Sequence, residues 1–382
     1  MKLLLQKTII LVGIFFYSSI AKAQIDAASF IRTGKEEANK LFGAYLQPVS
    51  QGLASGVNDA WYSTAKPLGL GGFDIKIGFG ASMVNNESKS FTLASIGANT
   101  DPKSTFLISP IGGNINTKQP TIVGDGMSSR FAISTINPLD STQRFFVDTI
   151  NPFEGTGSIL SLGTTPFLQL SVGLIKGTEI MIRLLPIQNG DFKSSGFGFG
   201  VKHSLSQWIW GVEKLPIDIS GIFSFNTNNL ELSFGNNFLD ANSSLPGGLP
   251  SSTYKNSQKL TISNVGYQYG LVVSKKLSIF TPYLGVTYNS ASSEIAMKGI
   301  YPVQSIRVTN NAPEEYTENI TDPIKIPSKI ADSYRASLGF RLKFGPIAWG
   351  VEYNHSFSEK QFNTFNATLA INIQQLAPIF KL

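Results

Sequence analysis

Residues 334–354 read YRASLGFRLKFGPIAWGVEYN. Tyr334, Ala336, Leu338, Phe340, Leu342 and Phe344 fall on one face of an extended chain, and Arg335, Ser337, Gly339, Arg341 and Lys343 on the other. Gly345-Pro346 interrupts the run. The return leg puts Ile347, Trp349, Val351 and Tyr353 against Ala348, Gly350, Glu352 and Asn354. Strand side chains alternate between faces, so this is a hairpin with one greasy and one wet, charged face.

The pattern recurs outward from the hairpin. Phe73, Ile75, Ile77 and Phe79 alternate with Asp74, Lys76, Gly78 and Gly80. Phe197, Phe199 and Val201 alternate with the glycines at 196, 198 and 200 and with Lys202. Similar runs occupy 217–226, 259–273 and 362–373. Runs of about ten residues exceed the usual ~5–6 of globular strands. They match the ~9–11 residues of a tilted strand crossing a hydrocarbon core.

Nine strands are expected near 167–175, 178–186, 196–205, 217–226, 259–273, 278–289, 333–344, 347–354 and 362–373. Their connections alternate in length. Lys176-Gly177, 274–277 and Gly345-Pro346 are short, whereas 227–258 and 290–332 are very long. Membrane barrels show this asymmetry, with tight turns at one end and large loops at the other. If both termini share the short-turn side, an odd number of strands precedes residue 167. Residues 72–83, 89–97 and 128–135 supply three, and weaker runs near 143–149 and 157–163 raise the total to fourteen. The fold class is therefore all-β, a transmembrane antiparallel barrel of 12–14 strands. A secreted β-sandwich also alternates, but it does not gather aromatics at strand ends. Trp208, Trp210, Tyr283, Tyr288, Trp349 and Tyr353 read as an interfacial girdle.

Composition agrees. The chain has 382 residues, 42% hydrophobic and 15% charged, against about 25% charged in a typical soluble domain. It has no cysteine, which excludes disulfide scaffolds and thiol nucleophiles, and two histidines, which leave little for a metal site. Residues 1–23 read as a signal peptide: Lys2 and Lys7, an apolar centre from Ile9 to Tyr17, and Ala21-Lys22-Ala23 as the cleavage site. Removing it takes three lysines from a net charge of +6, and the dispersed remainder does not suggest nucleic-acid binding. The address is the outer membrane, and lipid is the one certain partner of such a barrel.

Residues 24–71 precede the alternation. Ile31, Ala38, Leu41, Phe42 and Tyr45 recur at helical spacing, which predicts a helix over 25–47 ended by Pro48. The segment reads as a periplasmic plug or cap, and 72–382 as the barrel.

With the leader ending Ala21-Lys22-Ala23, the stretch Gln51-Gly52-Leu53-Ala54 to Gly72, and the aromatic-alternating strands to residue 373, the chain resembles Gram-negative outer-membrane barrels grouped with the FadL-type transporters of hydrophobic compounds. It is closest in character to a poorly characterised family of such barrels. The resemblance implies passive transport of a small, hydrophobic solute. One departure is the end of the chain, where Pro378 interrupts and Leu382, not an aromatic, is last.

No P-loop, HExxH, EF-hand or GxSxG pattern occurs. His203 shares the apolar face of Phe199 and Val201, and His355 closes a strand, so no enzyme and no cofactor is expected. The candidate residues are the ionisable ones that the register turns inward: Asp74, Lys76, Glu179, Arg183, Lys202, Asp218, Arg335, Arg341, Lys343 and Glu352. They would line a pathway, hold a plug or solvate a wet interior. The alternative to transport is a scaffold whose long extracellular loops, 227–258 and 290–332, bind an outer-membrane or secretion partner.

Overall fold

The structure is a computed structural model and describes residues 30–31, 33–99, 106–137, 140–158, 160–162, 166–185, 187–209, 216–241, 244–309, 312–358 and 362–373. The leader, Trp210 and the segment 374–382 lie outside these residues.

Ten long strands close on themselves, each antiparallel to its neighbours. They are β1 (Phe73–Met83), β2 (Phe167–Leu174), β3 (Thr178–Leu184), β4 (Phe192–Ser204) and β5 (Asp218–Ser233), followed by β6 (Lys259–Ser274), β7 (Phe280–Lys298), β8 (Ile324–Phe344), β9 (Ile347–Ser356) and β10 (Thr364–Ile373). The order around the barrel is the order along the chain. The ring shuts where β1 pairs with both β2 and β10: Asp74 faces Ser171 on one side and Asn372 on the other.

All nine strands expected after residue 167 are present, and the expected odd number ahead of them is one. The count of 12–14 is corrected to ten. Residues 89–97 form only a two-residue bridge, Ser90–Phe91, paired with Gln119–Pro120. Phe131–Asn137 pairs with Phe106–Pro110 and Asp140–Ile150 in a separate three-stranded sheet. Leu160–Leu162 only extends the pairing of β1. Period-two alternation identifies a strand but does not say which sheet receives it.

Burial runs opposite to that of a water-soluble domain. Lys76, Gln169, Arg183, Lys202, Arg335 and Glu352 point inward and are buried. Leu284 is 60% exposed on the outer face, and Val286, Leu338, Trp349 and Val351 share it. Soluble monomers rarely show contiguous apolar patches beyond roughly a few hundred Å². Tyr283 corrects the girdle expectation: it is inward and buried, one residue out of step with outward Leu284 and Val286.

The expected loop 290–332 is largely strand, and the first residues of the expected loop 227–258 continue β5 to Ser233. β5, β6, β7 and β8 run 16, 16, 19 and 21 residues. The alternation fades there because the inner face changes character. Asn226 and Asn228 give way to Leu230, Asn264 to Ile262, and Asn289 to Ile295 and Met297. These apolar residues belong to a dry cluster over the long-connection end, with Phe42, Leu53, Phe131, Ile133 and Tyr301. We call this cluster and its small sheet the dome. A hairpin of Ile300–Thr309 and Ala312–Thr321 stands beside it.

Helix α1 (Lys35–Gly56) is the dome's centre. It runs through Pro48 instead of ending there. Proline removes the donor that the carbonyl of Ala44 would otherwise meet, and at the next carbonyl, Tyr45, the amide of Ile122 ties the helix to the dome at 3.0 Å. Leu46 and Leu53, buried on either side of Pro48, hold the two halves in one cluster. Burial pushes the Tyr45 phenol up to about 12, and its hydroxyl donates to the carbonyl of Glu154 at 2.9 Å. Among the described residues no helix is long and apolar enough to cross a membrane.

Candidate functional site

From the end of α1, residues 57–68 pass along the inside of the barrel to the short-turn end, where β1 begins. Glycines on the strands' inner faces make the room. A Cβ on Gly198 or Gly200 would stand 2.8 or 2.9 Å from the Trp61 indole. Gly266 lies against Val57 and Asn58, and Gly285 against Tyr62. Close approach is the reason for glycine at such strand positions.

Asp59 is the hub. Its carboxylate pairs with Arg335 and accepts from the hydroxyl of Thr364 and, at 3.0 Å, the amide of Asn366. Arg335 also donates to the carbonyl of Ser55 at 2.6 Å. Ala60 has φ +56°, a conformation L residues rarely take. Both its backbone groups are held: the amide donates to Glu352 at 3.1 Å, and the carbonyl accepts from Lys76 at 2.7 Å. Glu352 in turn accepts from Tyr283 at 3.1 Å and Asn354 at 2.9 Å.

Arg183 is fully buried between the rings of Trp61 and Phe167, at 4.1 and 3.8 Å. Its guanidinium donates to the carbonyl of Asp59 at 2.9 Å and to Gln169 at 2.8 Å. Without those partners a buried guanidinium would carry a large desolvation cost; the aromatic faces add a cation–π attraction. Further down, Lys202 and Glu179 pair at 3.0 Å. Glu179 accepts the amide of Leu68 at 2.9 Å, and Ser220 donates to the carbonyl of Ala65 at 2.5 Å.

Six of the ten sequence-derived residues thus touch the inner segment directly: Lys76, Glu179, Arg183, Lys202, Arg335 and Glu352. The other four gather at the short-turn mouth. Arg341 meets Asp74 at 3.5 Å, Lys343 donates to Asn372 at 2.6 Å, and half-buried Asp218 stands at the rim of the same recess. That recess, about 710 Å³ counting its solvent-filled mouth, is polar and floored by Trp61 and Tyr62. His203 lies outside, bonded to Thr178 at 2.9 Å and accepting from Trp208 at 3.0 Å. His355 meets the ring of Phe357 edge-on. Among the described residues no cluster of three or more metal-ligating side chains is present.

A family model described as a family of unknown function, DUF6588, matches residues 1–373. The chain belongs to that family. No curated protein matches it in sequence. Among solved structures, the DUF6588 chain is similar to the translocator domain of the autotransporter NalP from Neisseria meningitidis, at 10% identity and TM-score 0.29, covering 92% of this chain and all of that one. It is similar to an outer-membrane channel from Pseudomonas putida F1 at 6% identity and TM-score 0.27, covering 82% and 100%. A third is the Pseudomonas putida toluene transporter TodX, at 8% identity and TM-score 0.23, covering 86% and 97%. Likeness at this level says nothing of activity.

Sequence reading of the DUF6588 chain missed Asp59, Trp61, Tyr62 and Tyr283. The first three sit in a stretch without periodicity. The signal that points to them is indirect: strand glycines at 198, 200, 266 and 285 need a bulky neighbour on the inner side.

Proposed function

We propose that the chain is an outer-membrane β-barrel closed along its axis by residues 57–68, a plug in effect, and that it anchors the dome on the outer side of the membrane. The observation that carries this is the filled axis: from Ser55 to Leu68 the inner segment is bonded to inward side chains of strands all round the barrel. The apolar outer belt supports a lipid surroundings, and the leader at 1–23 supports export. Long connections on outer-membrane barrels face outward, so the dome would face the medium and the turns at Leu174–Thr178 and Phe344–Ile347 the periplasm.

The natural absence of cysteine makes the test clean. Cysteine at Met127, exposed on the dome side, should react with a membrane-impermeant maleimide on whole cells; cysteine at Gly71, beside β1's start, should react only after lysis. The reverse pattern would overturn the orientation. Reconstituted in planar bilayers, the intact protein should be electrically silent, and steady conductance would overturn the closed axis.

Gated passage is a second reading, and the recess at the short-turn mouth favours it. Its lining is polar, so it suits a polar solute better than the hydrophobic one that the resemblance implies. Deleting residues 25–66 should then open a measurable flux, and no flux would count against it.

A further inference from the structure

We propose that the short-turn recess is a binding site for a soluble oxyanion, a carboxylate- or phosphate-bearing small molecule. Six cationic side chains line it: Lys66, Lys76, Lys202, Lys276, Arg341 and Lys343. Three carboxylates accompany them, Asp74, Glu179 and Asp218. Lys202 is matched by Glu179 and Arg341 by Asp74, while Lys76 is committed to the carbonyls of Ala60 and Trp61. Among the described residues no carboxylate stands within 4.0 Å of Lys66, Lys276 or Lys343. Half-buried Asp218 is the one remaining counter-charge.

The second observation is independent of net charge. Arg341 is 92% buried, at 8% exposure, and its Nε–H has no acceptor among the protein atoms. The indole N–H of Trp61, also lining the recess, is buried and equally without one. Both orphans are donors. Leaving a buried donor unmade costs about 1–3 kcal/mol, and an acceptor-only, negatively charged group satisfies donors and charges together. Arg341 meets Asp74 through Nη2 at a long 3.5 Å, a contact that uses one of the guanidinium's five donors. The recess faces the barrel axis and is walled from the outer belt by the strands, so acyl-chain lipids have no lateral path to it. The site rests on residues 57–68 staying in place, because Trp61, Tyr62 and Lys66 are part of its lining.

The test is calorimetric titration of the full-length protein in neutral detergent with sodium phosphate and with succinate, at ionic strength held constant with chloride. Saturable binding of at least one probe is expected. Arg341→Gln should weaken it tenfold or more, and Lys298→Gln at the opposite end should leave it unchanged. Lys276 is exposed at the rim of the recess, so Lys276→Gln should weaken binding several-fold in a protein of unaltered thermal stability, which separates the site from a folding defect. No saturable binding of either probe, or equal affinity in the Arg341 and Lys298 variants, would overturn the proposal. So would displacement of phosphate on transfer to phosphatidylglycerol nanodiscs, which would make the occupant a lipid headgroup.

Discussion

The barrel interior and the dome solve the same problem, filling space around one continuous segment, with opposite chemistry. Residues 35–56 pack Phe42 and Leu53 with Ile295 and Ile324 in a cluster with hardly any charge. Residues 57–68, the next turns of the same chain, are buried by Arg183, Arg335, Lys76 and Glu352. The strands cross from one regime to the other without changing face: Asn228 and Leu230, or Asn264 and Ile262, are successive inward residues. The dome is held by area removed from water, which is non-directional. The interior is held by directed bonds to particular carbonyls, which fixes one conformation and penalises every incomplete version of it. A segment held the second way is an all-or-none closure.

The strongest way to break the comparison is Arg335→Ala. It strands Asp59 without its cation, and removing one partner of a buried pair costs about 3–5 kcal/mol. Residues 57–68 should gain hydrogen exchange while the dome keeps its protection. The double variant Asp59→Ala, Arg335→Ala should cost less than the sum of the singles, a coupling that a dispersive core would not show. Leu41→Ala breaks the other side. It is fully buried in the dome, and such truncations cost about 2–5 kcal/mol. Protease nicking around residues 30–56 should rise, with the electrical silence of the barrel intact.

Most of the barrel was legible because its alternation has two well-separated faces, as at Tyr334–Tyr353. The strand number was not, because Phe131–Asn137 and Asp140–Ile150 alternate as well and are drawn into the dome's own sheet. The upper parts of β5, β7 and β8 hid as loops, since residues such as Leu230 and Ile295 turn the inner face apolar and erase the contrast. Parity found the inward ionisable residues directly. It could not find their partner, because Asp59, Ala60 and Trp61 follow no period. Nor could it show that α1 continues past Pro48, which depends on the packing of Leu46 and Leu53 in the dome.

Two smaller tests sharpen the comparison. Gly200→Ala places a methyl 2.9 Å from the Trp61 ring, and overpacking of this kind costs about 1–3 kcal/mol. The urea midpoint in lipid vesicles should fall, and Trp61→Leu in the same chain should restore part of it. The smallest effect is expected at Lys259→Ala. Its pair with Glu231, at 3.0 Å, is partly exposed, and surface pairs contribute about 0–1 kcal/mol. A large loss there would mean that solvated pairs hold this protein as firmly as the buried ones.

Single nitroxide labels, introduced into a chain that has no cysteine of its own, reach the matter most directly. A label at Leu338 in nanodiscs should relax with oxygen dissolved in the acyl chains and ignore a water-soluble nickel chelate, while one at the adjacent Ser337 should be shielded from both. Chelate access at Leu338, or oxygen access at Ser337, would mean that the sheet's apolar face does not meet lipid.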